Sequence, residues 1–153
     1  MSQALLGLDF GGKRIGVAVV QAGTNIALPM KMVERKSRDQ VLGELLKLIK
    51  SYRIEKVVVG LPKTLKGEMG IAAEKLTKEM EWYRGKLPIP LEMWDERLSS
   101  KEVERILIDA DVRREKRKEV IDQLAAQRIL QNYIDNRSGA ETYDPRLEEE
   151  DEA

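Results

Sequence analysis

At 153 residues and 17.5 kDa the chain is long enough to fold as one domain with a core of its own. It has no cysteine and no histidine. Disulfides, thiolate zinc sites, thiol nucleophiles, Ser-His triads and histidine acid–base chemistry are therefore excluded. The 27 basic and 27 acidic residues balance, yet the tail from Ala140 holds seven acidic residues and one basic, a net −6, so residues 1–139 carry +6. Such a body suits a polyanionic partner, and a modest positive charge is also an ordinary solvated surface.

The polar chemistry left to the chain is that of Asp, Glu, Lys, Arg, Tyr, Ser and the backbone, a set that suits hard, oxygen-liking ions such as Mg²⁺ or Mn²⁺. No basic leader with an apolar segment and cleavage site is apparent, and no apolar run approaches membrane-spanning length. A cytoplasmic location without membrane contact is expected.

In chain order, LLGLDFGGKRIGVAVV at 5–20 has two apolar runs around Gly11-Gly12-Lys13-Arg14, the pattern of a tight β-hairpin. Asp9 sits near the end of the first run, where an ionised carboxylate needs a partner to offset its desolvation. It either starts the turn by bonding its own backbone or belongs to a metal or phosphate site. Ile26 to Val33 is a third short strand, at an edge or strand end because of Pro29. Ser37 with Gln40 resembles a capping box, and apolar residues at helical spacing run from Val41 to Tyr52. Ile54 to Gly60 has the β-branched composition of a central parallel strand. A glycine- and lysine-containing loop then leads to a helix over Ile71 to Tyr83, and Leu91 to Trp94 is a further strand. Ser99 with Glu102 opens another helix, and a last helix spans about Lys118 to Tyr133. Trp82 and Trp94 read as core or half-buried residues. The expected domain is 1–137, followed by an acidic, disordered tail over 138–153. The order β-β-β-α-β-α-β-α-α predicts an α/β fold, a mixed five-stranded sheet of three antiparallel and then parallel strands with helices on both faces.

Ligand sites in open α/β sheets gather at the carboxyl ends of parallel strands. Asp9 closes the first strand, and Glu96, after Asp95, follows the fifth. Asp122 shares a helical face with Lys118, Ala125, Ala126, Ile129 and Tyr133, and the alanines let that helix lie close to the sheet. Each has an ordinary alternative: Asp122 near a helix start favours the helix dipole, and Glu96 could pair with Arg97 at the surface. Three converging carboxylates would raise one another's pKa, a penalty that divalent ions remove, and two such ions about 4 Å apart can drive phosphodiester hydrolysis without histidine. Lys13, Arg14, Lys63, Lys66, Arg97, Arg114, Arg117 and Lys118 could hold a nucleic-acid backbone around the site, although the 113–118 run also reads as a solvated linker.

Four motifs, GLDFGGKRIGVAV at 7–19, VVVGLP at 57–62 with Gly67, DERLSS at 95–100 and KEVIDQLAAQRILQNYI at 118–134, resemble the YqgF family. These are RuvC-like relatives of the Holliday junction resolvases, also described as pre-16S ribosomal RNA nucleases. The resemblance covers Leu5 to about Tyr133. It implies a ribonuclease-H-like fold, Mg²⁺ or Mn²⁺, catalytic and metal-binding roles for Asp9, Glu96 and Asp122, and a part in maturing the 5′ end of small-subunit ribosomal RNA. One departure is Gly12, where the family usually has Thr, which is expected to loosen the turn.

The expected function is metal-dependent phosphodiester hydrolysis on structured RNA, the precursor ribosomal RNA. A junction-resolving DNA nuclease and a non-catalytic RNA-binding assembly factor are the alternatives, and the chain could be a monomer or a homodimer. DxGxxxxG at a hairpin also resembles a phosphate loop of actin-like ATPases and sugar kinases, but that fold needs two such domains, and no second DxG loop is present.

Overall fold

The computed structural model describes residues 3–61, 70–95 and 124–136. Its elements are β1 (Leu5–Phe10), β2 (Arg14–Val20), β3 (Leu28–Glu34), α1 (Arg38–Tyr52), β4 (Lys56–Leu61), α2 (Ile71–Arg84) and β5 (Leu91–Asp95). A further helical segment spans 124–136. The five strands form one sheet in the order β3-β2-β1-β4-β5. β1 pairs antiparallel with β2 and parallel with β4, β3 is antiparallel to β2, and β5 is parallel to β4. This is the expected mixed sheet.

Two strands begin later than their composition suggests, and in both cases the helices have claimed backbone groups. The third starts at Leu28 because Ala27 N–H donates to Gln131 Oε1 (2.8 Å) and Ala27 O accepts from Gln127 Nε2 (3.2 Å). The fourth starts at Lys56: Ile54 N–H donates to Ile49 O (2.9 Å) at the end of α1, whose last turn closes on Arg53 in the left-handed region. At the other end of α1, Ser37 Oγ accepts from Gln40 N–H (3.1 Å) as expected, while Gln40 Oε1 accepts from Lys36 N–H (3.1 Å), one residue before the cap.

Strand alternation sorts the sheet into two cores. Leu6, Leu8, Ile15, Val17, Val19, Val57 and Val59 face α1 and α2, with Leu45, Met80 and Tyr83 buried against them. Leu5, Ala18, Val20 and Val58 face the helical segment 124–136, whose Ala126, Ile129, Leu130 and Tyr133 are buried. Helices thus cover both faces, as the mixed sheet requires.

Candidate nuclease site

Parallel pairing brings the carboxyl ends of β1, β4 and β5 to one edge of the sheet, with Leu8 beside Val59 and Leu61 beside Asp95. Asp9 stands at that edge, half-buried, across from Gly16 of β2. Leu6 and Leu8 belong to the α1/α2 core, so Asp9 shares the other face with Gly7, the face covered by the helical segment 124–136. There the backbone of β1 and the helix are nearly in contact: a Cβ added to Gly7 would lie 2.8 Å from Leu130 Cβ.

The buried stripe Ala125, Ala126, Ile129 and Tyr133 is the face expected to carry Asp122. Asp122 itself lies outside the described residues, as do Glu96, Lys63, Lys66, Arg97, Arg114, Arg117 and Lys118, the helix proposed after Ser99 and the acidic tail. Among the described residues no three potential metal ligands gather. Asp9 supplies the hard oxygen donor that Mg²⁺ or Mn²⁺ prefers, and its position on a core strand would hold that donor rigidly.

Tyr133 anchors the helical segment to the strands. Lys56 Nζ donates to Glu92 Oε1 (2.7 Å) and to Tyr133 Oη (3.1 Å), and Tyr133 Oη donates to Glu92 Oε1 (3.0 Å). Burial works to lower the Lys56 pKa, but its bonds to Glu92 and Tyr133 prevail and hold it above the ordinary lysine value. Trp94 packs edge-on against Tyr133 and donates its indole N–H to Asn132 Oδ1 (3.0 Å). Trp94 and Trp82 are both half-buried, as their sequence context suggests.

The Gly11-Gly12-Lys13-Arg14 turn is a closed unit. Gly11 N–H donates to Arg14 O (2.9 Å), and a Cβ at Gly11 would stand 2.8 Å from that oxygen, whereas a Cβ at Gly12 would meet nothing within 4 Å. Glycine is therefore demanded at 11 and not at 12. Arg35, which sequence reading did not single out, ties this turn to the body of the domain. Its backbone N–H donates to Lys13 O (2.9 Å), Nη1 donates to Gly11 O (2.6 Å) and Nη2 pairs with Glu79 of α2 (2.5 Å). Its guanidinium also lies 5.2 Å from the Phe10 ring centre. Lys13 is exposed and Arg14 half-buried, and both line an open cleft of about 720 Å³ with Glu34, Arg35 and Lys36.

Comparison with known proteins agrees with this fold. A family model described as "RuvX: Holliday junction resolvase" matches residues 3–136. A protein of Desulforudis audaxviator named "Putative pre-16S rRNA nuclease" is 41% identical over 139 residues, 90% of this chain and 99% of its own length. One of the same name from Caldanaerobacter subterraneus subsp. tengcongensis is 44% identical over 137 residues, 89% and 99% of the two chains. Among solved structures, Thermus thermophilus RuvC in complex with a Holliday junction substrate aligns with a TM-score of 0.54 at 16% identity, covering 90% of this chain and 97% of that one. The likeness is one of fold, ribonuclease-H-like and shared with RuvC.

Proposed function

Because the chain belongs to the RuvX family of Holliday junction resolvase relatives, a nuclease family, we propose that it is a divalent-metal-dependent phosphodiester hydrolase acting on precursor small-subunit ribosomal RNA at the carboxylate-bearing edge of its sheet. The observation that carries this reading is Asp9: an acidic residue at the end of a core strand, on the face covered by the helical segment, at the edge where β1, β4 and β5 all end. Two further points support it. Asp95, the residue before Glu96, closes β5. The described helical segment 124–136, which follows Asp122 in the chain, packs its small and apolar face on the sheet. The RNA substrate is favoured by relatives named for pre-16S rRNA that align over nearly their full lengths.

In this reading Asp9, Glu96 and Asp122 hold Mg²⁺ or Mn²⁺, which supplies water activation and neutralises charge on the leaving oxygen. The chain contributes rigid presentation of Asp9 through the ladder to Gly16 and through the Gly7–Leu130 approach. Lys13 and Arg14 meet the phosphodiester backbone beside the scissile bond. With Lys63, Lys66, Arg97, Arg114, Arg117 and Lys118 they form the proposed basic rim.

The test incubates the protein with precursor ribosomal RNA and, in parallel, a four-way DNA junction, with Mn²⁺ and with chelator. Metal-dependent cleavage of the RNA, lost in each of Asp9→Asn, Glu96→Gln and Asp122→Asn, supports the reading. Cleavage confined to the junction would move the substrate to branched DNA. Retention of full activity by all three variants would refute the site, and tight RNA binding without turnover would make the protein an assembly factor.

A further inference from the structure

The cleft beside the hairpin turn, lined by Gly11–Arg14 and Glu34–Lys36, adjoins a second, smaller one that shares Gly12, Arg35 and Lys36 with it. The second reaches the first residues of α1 and the α2 residue Glu79, and the two are taken together as one track. Among the described residues its walls carry five cations, Lys13, Arg14, Arg35, Lys36 and Arg38, against the carboxylates Glu34 and Glu79. Arg35 is consumed internally by Gly11 O and Glu79 and acts as a wall tie. Lys36 and Arg38 are different. Lys36 has a side chain 73% exposed, and its contact with Glu34, 3.7 Å across two exposed groups, is a weak one. Arg38 is exposed, and its guanidinium lies 4.6 Å from the Trp82 ring centre. A guanidinium resting on an indole is engaged through its face and keeps its N–H edge for two oxygens of a phosphate, with part of its rotamer freedom already removed.

We propose that this cleft is a binding track for a second stretch of phosphodiester backbone, in which Lys36 and Arg38 contact phosphates of the nucleic acid flanking the cleavage position. The inference rests on the nuclease reading and deepens it by extending the contact surface from the hairpin to α1. The track begins near the chemistry: Gly11 follows Asp9 by two residues, at most about 7 Å of extended chain. Gly12 leaves a low wall there, since nothing stands within 4 Å of a Cβ built on it. Contacts of this kind read the backbone and not the bases, so RNA and DNA substrates should depend on them alike.

The test measures fluorescence anisotropy with the full chain in chelator, which separates binding from cleavage. The probes are a labelled structured RNA and a four-way DNA junction, each titrated with salt. The Lys36→Gln/Arg38→Gln double variant should bind both probes roughly 5- to 10-fold more weakly at low salt. Its slope of log K against log salt should be shallower by about 1 to 2. Lys50→Gln is the control for loss of one positive charge from α1, 12 residues and about 18 Å further along the helix than Arg38. It should stay within about twofold of the unsubstituted chain. A double variant with unchanged affinity and slope would overturn the track while leaving the nuclease reading in place. Failure of the unsubstituted chain to bind either probe at low salt would overturn both.

Discussion

Gly7 and Leu130 face each other so closely that the strand's missing side chain is what allows the helix to lie where it does, with only 2.8 Å between a hypothetical Gly7 Cβ and Leu130 Cβ. Gly7→Ala should therefore overpack the contact and destabilise the fold by about 1–3 kcal/mol, read as a lower urea midpoint. Because Asp9 lies two residues along the same face, the variant should also lose nuclease activity out of proportion to its folded fraction. The double variant Gly7→Ala/Leu130→Ala should recover no stability, because alanine keeps the Cβ that makes the 2.8 Å approach and truncation of the buried leucine leaves a cavity.

Gly11 and Gly12 should respond oppositely to substitution. Gly11→Ala forces a Cβ against the carbonyl that closes the turn and should cost about 1–3 kcal/mol by thermal melting. Gly12 has open space and is not among the described residues with positive φ. Gly12→Thr should be neutral or raise stability by up to about 1 kcal/mol by restricting the unfolded chain.

Removing Arg35 should loosen the hairpin without touching a carboxylate at the proposed catalytic edge. Arg35→Ala leaves Glu79 half-buried without its partner and frees Gly11 O, a loss of about 2–3 kcal/mol in denaturant melts. Arg35→Lys should recover only part of it, because an ammonium cannot reproduce the two-armed contact to Gly11 and Glu79.

The Lys56–Glu92–Tyr133 cluster predicts an alkaline limit. Lys56 has a folded pKa above its ordinary value, so its contribution is full below about pH 10 and fades as pH rises through the folded pKa. Tyr83, raised chiefly by burial and then by Glu79, adds a loss of the same sign in the same window, since its phenol must stay neutral in the core. Unfolding followed by circular dichroism should show stability falling above about pH 10. In Tyr133→Phe, stability should be lower by about 1 kcal/mol at neutral pH.

Much of this was readable along the chain because the signals are local. The two apolar runs around Gly11–Arg14 and the Ser37 cap specify β1, β2 and the start of α1 within a few residues of themselves. Asp9 stood out because a carboxylate in an apolar strand demands a reason. Helical spacing gave Ala125, Ala126, Ile129 and Tyr133 of the buried face of 124–136 and missed Leu130 and Ile134, which are buried beside them. Arg35 gave no such signal: its partners Gly11 and Glu79 lie 24 and 44 residues away. Lys56 likewise reads as a strand-end surface lysine until Glu92 and Tyr133, 36 and 77 residues on, are brought beside it by the parallel pairing and the helix. The late starts of β3 and β4 were illegible for a related reason, since side chains of 127 and 131 and the end of α1 took the backbone groups first.

The bond from Gly11 N–H to Arg14 O and the Arg35 tie have one more effect, on the kinetics of encounter. A loop that must order itself around an arriving polymer loses conformational freedom at that moment, whereas this turn is already shaped by contacts within the protein. The entropy of capture then falls mainly on exposed lysine and arginine side chains, about 0.5–1.5 kcal/mol for each one immobilised. Association should accordingly follow charge and ionic strength, with no slow rearrangement of the hairpin preceding it.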